Sequence, residues 1–120
     1  MKKLIISIGI MCLTMSSALA MTYNQALKQD KPIVIMFKMP YCSACKKATP
    51  LFDAMEKKYS DKFNFVKDDT TKSNLSSKFG VNSVPDVFIV EPKTEKATKV
   101  SYNCLFKKGC FEKQLINYGK

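Results

Sequence analysis

Cys42-Ser43-Ala44-Cys45 is the segment of this 120-residue chain whose residue types and spacing best suit covalent chemistry. Two intervening residues allow the sulfurs to meet when the segment opens a helix, so the pair can pass between dithiol and disulfide. A helix N-terminus carries about half a positive charge, and its free amides point at the first cysteine. Both favour thiolate over thiol. Cys42 is then the exposed nucleophile, and Cys45, one turn into the helix, is its sheltered partner. The same spacing also serves zinc and haem sites. Covalent haem attachment needs a histidine after the second cysteine, and here Lys46 follows Cys45. The chain has no histidine, which excludes Ser-His-Asp and Cys-His nucleophile pairs and helical HExxH zinc sites.

A second pair, Cys104 and Cys110, is separated by five residues. One reading is a structural disulfide that ties the loop between the last strand and the last helix, stabilising by ~2 kcal/mol. Another is a second redox or regulatory pair. A third joins it to Cys42 and Cys45 in a four-cysteine zinc site. That site would need the C-terminal loop to reach the dithiol, and its five-residue gap exceeds the usual spacing of such ligands. The structural disulfide is preferred, and no metal is assigned.

The elements that must position the dithiol follow from pattern. Thr22 suits a helix N-cap for a short helix over 23–29, ended by Lys31-Pro32. Residues 33–37 form a continuous apolar, β-branched run, as expected of a strand covered on both faces. Met39-Pro40-Tyr41 turns the chain out of that strand. A helix from Cys42 to about Tyr59 places Ala48, Leu51, Phe52, Met55 and Tyr59 at helical spacing, with Pro50 predicting a kink. A strand is predicted over 63–66 and a polar helix over 71–79, closed by Gly80 in a left-handed cap. A strand over 87–90, a charged turn over 91–96 and a partner strand over 97–102 follow. A last helix begins at Gly109 or just after it and runs to about Tyr118, with Phe111, Leu115 and Ile116 on one face. The order α-β-α-β-α-β-β-α predicts an α/β fold, a central mixed sheet with helices on both faces.

The N-terminus reads as a targeting segment. Lys2 and Lys3 precede a short apolar run over 4–13, and Ala18-Leu19-Ala20 closes it with small residues. Residues 1–20 are therefore expected to be a cleavable secretory signal, and Cys12 to leave with it. The apolar run is about half the ~20 residues that span a bilayer, so a retained anchor is the weaker reading. Residues 21–120 form one domain of 100 residues, and loss of Lys2 and Lys3 lowers the net charge from +10 to +8. Every basic residue is lysine, spread along the chain. Nucleic-acid readers favour arginine forks, so the charge reads as a solvated surface biased toward acidic partners or anionic membranes, with no nucleic-acid partner expected.

Together these features resemble the thioredoxin superfamily. The strand–turn–CxxC–helix passage from Pro32 to Tyr59, Lys46 directly after the motif, Pro50 eight residues after Cys42, and Phe79-Gly80-Val81-Asn82-Ser83-Val84-Pro85 carry the resemblance. It covers essentially residues 22–118. Cys-Ser-Ala-Cys-Lys is also similar to the motif of the periplasmic thioredoxin-like domain of the bacterial transmembrane disulfide reductase. The resemblance implies a thioredoxin fold in which Cys42 attacks and Cys45 resolves. It implies a cis Val84-Pro85 bond, with Val84 offering its backbone to an extended substrate and Tyr41 as an aromatic lid. Two departures stand out. Met36 occupies the position of the family's buried acid, so water or another group must take the proton of Cys45. Tyr41 stands where thioredoxins have tryptophan.

The expected protein is a periplasmic thiol–disulfide oxidoreductase acting on cysteines of exported proteins through a mixed disulfide. It needs no cofactor beyond its redox-active disulfide, is recharged by a redox-recycling partner, and is a monomer without a stable membrane span. Ser43-Ala44 lacks the histidine that strengthens the family's oxidases, which leans the pair toward reduction or exchange. Two other classes compete: a non-catalytic thioredoxin-fold binding module, and a thiolate metal carrier for copper(I), with Met39 as the nearby soft ligand.

Overall fold

The computed structural model describes residues 21–119. The signal-like segment 1–20, with Cys12, lies outside the described residues. Nine elements follow in order: α1 (Tyr23–Leu27), β1 (Ile33–Lys38), α2 (Ser43–Tyr59), β2 (Asn64–Asp69), α3 (Leu75–Phe79), β3 (Asp86–Val90), β4 (Ala97–Val100), α4 (Tyr102–Phe106) and α5 (Cys110–Asn117). The sheet order is β2-β1-β3-β4. β1 pairs parallel with β2, while β3 is antiparallel to both β1 and β4. The mixed α/β sheet is the one the pattern predicts.

β1 is central because all of residues 33–37 are buried, on both faces. Val34 and Met36 face one core with Ala48 and Phe52 of α2, Leu105 of α4, and Phe111 and Leu115 of α5. Ile33, Ile35 and Phe37 face the other, with Tyr23 and Ala26 of α1 and, at its edge, Leu75 and Phe79 of α3. α1 is only five residues, too short to persist alone. A capping box fixes it: Thr22 Oγ1 accepts from Gln25 N–H, and Gln25 Oε1 accepts from Thr22 N–H. Tyr23 then donates its hydroxyl to Glu95 in the β3–β4 turn at 2.9 Å, and Glu95 also pairs with Lys78 of α3. Burial and the Glu95 carboxylate together push the Tyr23 hydroxyl well above its ordinary pKa.

Three expectations need correction. The strand expected over 97–102 stops at Val100. Ser101 Oγ accepts from Cys104 N–H at 3.1 Å and Leu105 N–H bonds the Ser101 carbonyl, so Ser101 caps an unforeseen helix, α4. The element order therefore ends β-β-α-α. The third predicted helix begins at Leu75, not Thr71. Asp69 accepts from the Thr71 amide and hydroxyl, and Ser73 donates to both oxygens of Asp68, so the preceding residues form a side-chain-bonded turn. The apolar faces of α2 and α5 are also narrower than their spacing suggests: Leu51 is 40% and Ile116 47% exposed. Gly80 closes α3 with φ of 67°, in the left-handed conformation that glycine adopts at no steric cost.

Candidate active site

The dithiol sits where β1 hands the chain to α2. Pro40 cannot continue the ladder, and Tyr41 takes φ of 64°, a left-handed conformation uncommon for a side-chain-bearing residue. That turn sets Cys42 as the N-cap of α2. Cys42 Sγ accepts the Cys45 amide at 3.1 Å, so the helix end spends a free N–H on the sulfur. No carboxylate lies in the first turn of α2. The positive end of the helix therefore acts on Cys42 without local neutralisation. Cys42 and Cys45 form a disulfide with Cα atoms 5.1 Å apart. Cys42 is partly exposed and Cys45 is only 3% exposed, which separates an accessible sulfur from a sheltered one.

The Val84-Pro85 peptide bond is cis. The Val84 carbonyl oxygen lies 3.8 Å from Cys42 Sγ, so this loop and the dithiol form one site although 42 residues separate them. Beside it, Met39, Thr70, Ser76 and residues 81–84 line a shallow open cleft. Pro85 is buried and, lacking an N–H, sets no donor beside the sulfurs. Tyr41, next to Cys42, is 96% exposed, so its ring is open to an incoming partner.

Met36 is fully buried on the face of the sheet that α2 covers, where the resemblance placed an acid. The nearest carboxylate in sequence to the cis bond is Asp86, and it does not substitute. Asp86 lies opposite Phe37 in the β1–β3 register, so it belongs to the face covered by α1 and α3. It is 7% exposed, with Lys99 Nζ 3.4 Å away. Burial holds its carboxyl above the usual range, and Lys99 offsets this only in part. A carboxyl raised in the folded state binds its proton more tightly there than in the unfolded chain. Its ionisation therefore opposes folding, and stability falls as pH rises through that window. Asp86→Asn is expected to raise stability at neutral pH, with the gain vanishing near pH 4 and below. Thermal denaturation of both proteins between about pH 3 and pH 8 checks this. A variant less stable than wild type at neutral pH would mean that the Lys99 pair dominates.

Cys104 and Cys110 form a second disulfide, Cα to Cα 5.1 Å. It joins α4 to the first residue of α5, across elements and not merely within a loop. Cys104 is buried in the core that α2 covers, and Cys110 is partly exposed. Each cysteine pair thus closes on itself. Among the described residues no group of three or more His, Cys, Asp or Glu side chains is placed to hold a metal ion.

A disulfide at a helix N-terminus, facing a cis-proline loop on a four-stranded mixed sheet, defines a class of domain whose geometry suits thiol–disulfide exchange. Comparison with known proteins gives that class a family. The thioredoxin family model matches residues 14–108, and the chain belongs to that family. It is 33% identical over 74 residues to chloroplastic thioredoxin M4 of Arabidopsis thaliana, covering 61% of this chain and 38% of that protein. It is 35% identical over 66 residues to a thioredoxin of Borreliella burgdorferi, covering 54% and 56% of the two. It is 30% identical over 80 residues to a thioredoxin of Rickettsia typhi, covering 64% and 74%. The matches to the first two thus span less than two thirds of those relatives' own length.

Proposed function

We propose that this protein is a periplasmic thiol–disulfide oxidoreductase that reduces or exchanges disulfides of exported proteins. The observation that carries the chemistry is the placement of Cys42: N-cap of α2, bonded by the Cys45 amide, and 3.8 Å from the Val84 carbonyl of the cis-proline loop. In the reduced protein the Cys42 thiolate attacks one sulfur of a substrate disulfide. A Cys42–substrate disulfide forms and the other substrate sulfur leaves as a thiolate, which takes a proton from water. Cys45 then loses its proton and attacks Cys42 Sγ. The Cys42–Cys45 disulfide forms and the second substrate thiolate departs. Two electrons pass to the substrate, and a reducing partner must restore the dithiol.

The periplasmic assignment rests on the signal-like residues 1–20, and the reducing direction on Ser43-Ala44. No cofactor is required beyond the dithiol, the protein works as a monomer, and its partners are exported cysteine-containing proteins and a recycling reductant. Insulin reduction by dithiothreitol tests the activity. Wild type should accelerate it at least about tenfold over Cys42→Ser, because the thiolate is the nucleophile. Equal rates would refute the oxidoreductase reading. The direction is read from the potential of the Cys42–Cys45 pair, expected below about −200 mV; a value near −120 mV would make it an oxidant instead.

A further inference from the structure

α4 and the turn after it create a second surface on α2, about two turns beyond the dithiol. Leu105 and Phe106 of α4, with Lys107 and Lys108 of the turn, face Leu51 and Met55 of α2 across an open groove. Its floor is apolar: Leu51 is 40% exposed and Phe106 is half-buried. Phe106 packs against Tyr102 with the rings tilted at 59° and centroids 5.1 Å apart, and Tyr102 is itself 52% exposed. Lys107 and Lys108 are exposed on one wall. Lys47 is exposed on α2 one turn before Leu51, on the same side of the helix. The groove therefore opens at the middle of α2, with Lys107 and Lys108 lining it and Lys47 one turn nearer the dithiol.

The charge is unbalanced there. Among the described residues the ion pairs are Lys58–Glu112, Lys67–Asp53, Lys78–Glu95 and Lys99–Asp86, and none uses Lys47, Lys107 or Lys108. The carboxylate that borders the groove, Glu112, is held by Lys58 and by the Tyr59 hydroxyl. Lys46 and Lys47 also add positive charge near the positive end of α2, where the first turn has no acid. Cations at that end do not stabilise the helix.

We infer that this groove docks an acidic, partly apolar segment of a redox-partner protein. The inference rests on the oxidoreductase reading for its purpose, and on the groove alone for its binding. Leu51 is nine residues from Cys42, about 13 Å along a helix. An extended chain covers that in about four residues. A partner whose cysteine meets Cys42 thus places side chains about four to six positions away in the groove. Apolar residues there meet Leu51 and Phe106, and acidic ones meet Lys47, Lys107 and Lys108. Complementary charge of this kind chiefly speeds encounter and selects partners.

The test uses labelled peptides in which the cysteine is replaced by serine, so that binding is read without chemistry. One carries Leu-Asp-Glu four to six residues from the serine, another Leu-Lys-Lys. In fluorescence anisotropy the acidic peptide should bind at least about tenfold more tightly at low salt, and the preference should collapse near 0.5 M salt. Lys107→Glu with Lys108→Glu should abolish the preference, while Lys28→Glu with Lys93→Glu, the same change in net charge at remote exposed positions, should keep most of it. Reduction of the small neutral disulfide 4,4′-dithiodipyridine should be unchanged in both pairs of variants. Equal binding of the two peptides, a preference that survives in the Lys107/Lys108 variant, or binding to anionic lipid vesicles in place of the peptide overturns the docking site. Failure of wild type to accelerate insulin reduction over Cys42→Ser overturns the oxidoreductase reading and leaves the binding result to stand by itself.

Discussion

Cys45→Ser is expected to convert the protein from a turnover catalyst into a covalent trap. Cys42 retains its place as N-cap of α2, its contact with Val84 and its access to solvent, because none of these depends on the Cys45 sulfur. The first displacement therefore proceeds. The second cannot, since a serine hydroxyl is not acidic enough to attack a disulfide at neutral pH. Turnover should fall by on the order of 10³-fold or more, while a Cys42–substrate disulfide accumulates stoichiometrically. Non-reducing electrophoresis and mass spectrometry read the adduct, and excess dithiothreitol releases it. Cys42→Ser should form no adduct. An adduct on Cys104 or Cys110, or near-normal turnover by Cys45→Ser, would relocate the chemistry. Met36 bears on the second step in wild type. With an apolar, fully buried side chain in place of an acid, Cys45 must lose its proton to solvent base, so resolution in wild type should quicken as pH rises.

How much of this arrangement the residues announce depends on the kind of interaction that decides it. β1 was legible because an uninterrupted run over 33–37 can only be covered on both faces, and all five residues are buried. Cys42 at a helix start was legible because Pro40 must end the strand and Ala48 and Phe52 follow at helical spacing. Gly80 signalled its own cap. α4 was less visible. Ala97 to Val100 follows a charged turn as a hairpin partner would, and Ser101 continues a strand as readily as it caps a helix. The choice is made by Cys104 and Leu105, which reach the core only if the chain turns at Ser101. Burial that depends on a distant surface is not written in local periodicity.

The same limit explains the side chains that face unexpected directions. Leu51 and Ile116 sit at helical spacing with buried neighbours, yet spacing fixes only the phase of an apolar stripe. Its width depends on what packs against it, and α4 is too short to cover Leu51. Tyr41 takes φ of 64° in the turn before Cys42, a backbone state that no propensity of tyrosine specifies. Asp86 was unremarkable in the sequence. Only the register with Phe37 shows that the acid beside the cis bond lies on the wrong face to serve Cys45.

Removal of the second disulfide should bring the largest loss of stability. α4 has five residues, far fewer than a helix needs to persist alone, and what fixes it is the Ser101 cap, the burial of Cys104 and Leu105, and the bond to the start of α5. Closing so short a loop contributes ~2 kcal/mol through the unfolded chain. Loss of the buried Cys104 sulfur from the core adds to this, so Cys104→Ala with Cys110→Ala should cost about 2–4 kcal/mol and lower Tm by roughly 10–20 °C. Circular dichroism melts under oxidising conditions read the difference. A fall of only a degree or two would mean that the bond is not structural. Thiol titration separates the remaining alternatives: mild reductant should release two thiols, Cys42 and Cys45, with Cys104 and Cys110 yielding theirs only on unfolding. If all four appear together, the second pair is redox-active. Dithiodipyridine reduction should survive in the double variant, because Cys42 takes its geometry from the β1–α2 turn and the Val84-Pro85 loop, neither of which the second disulfide anchors. Preference for the acidic peptide should be lost, because the bridge encloses Phe106, Lys107 and Lys108 and holds them against α2. Stability and docking would then fall together while the reactivity of Cys42 stays intact, which assigns the second disulfide to the partner surface and the first to electron transfer.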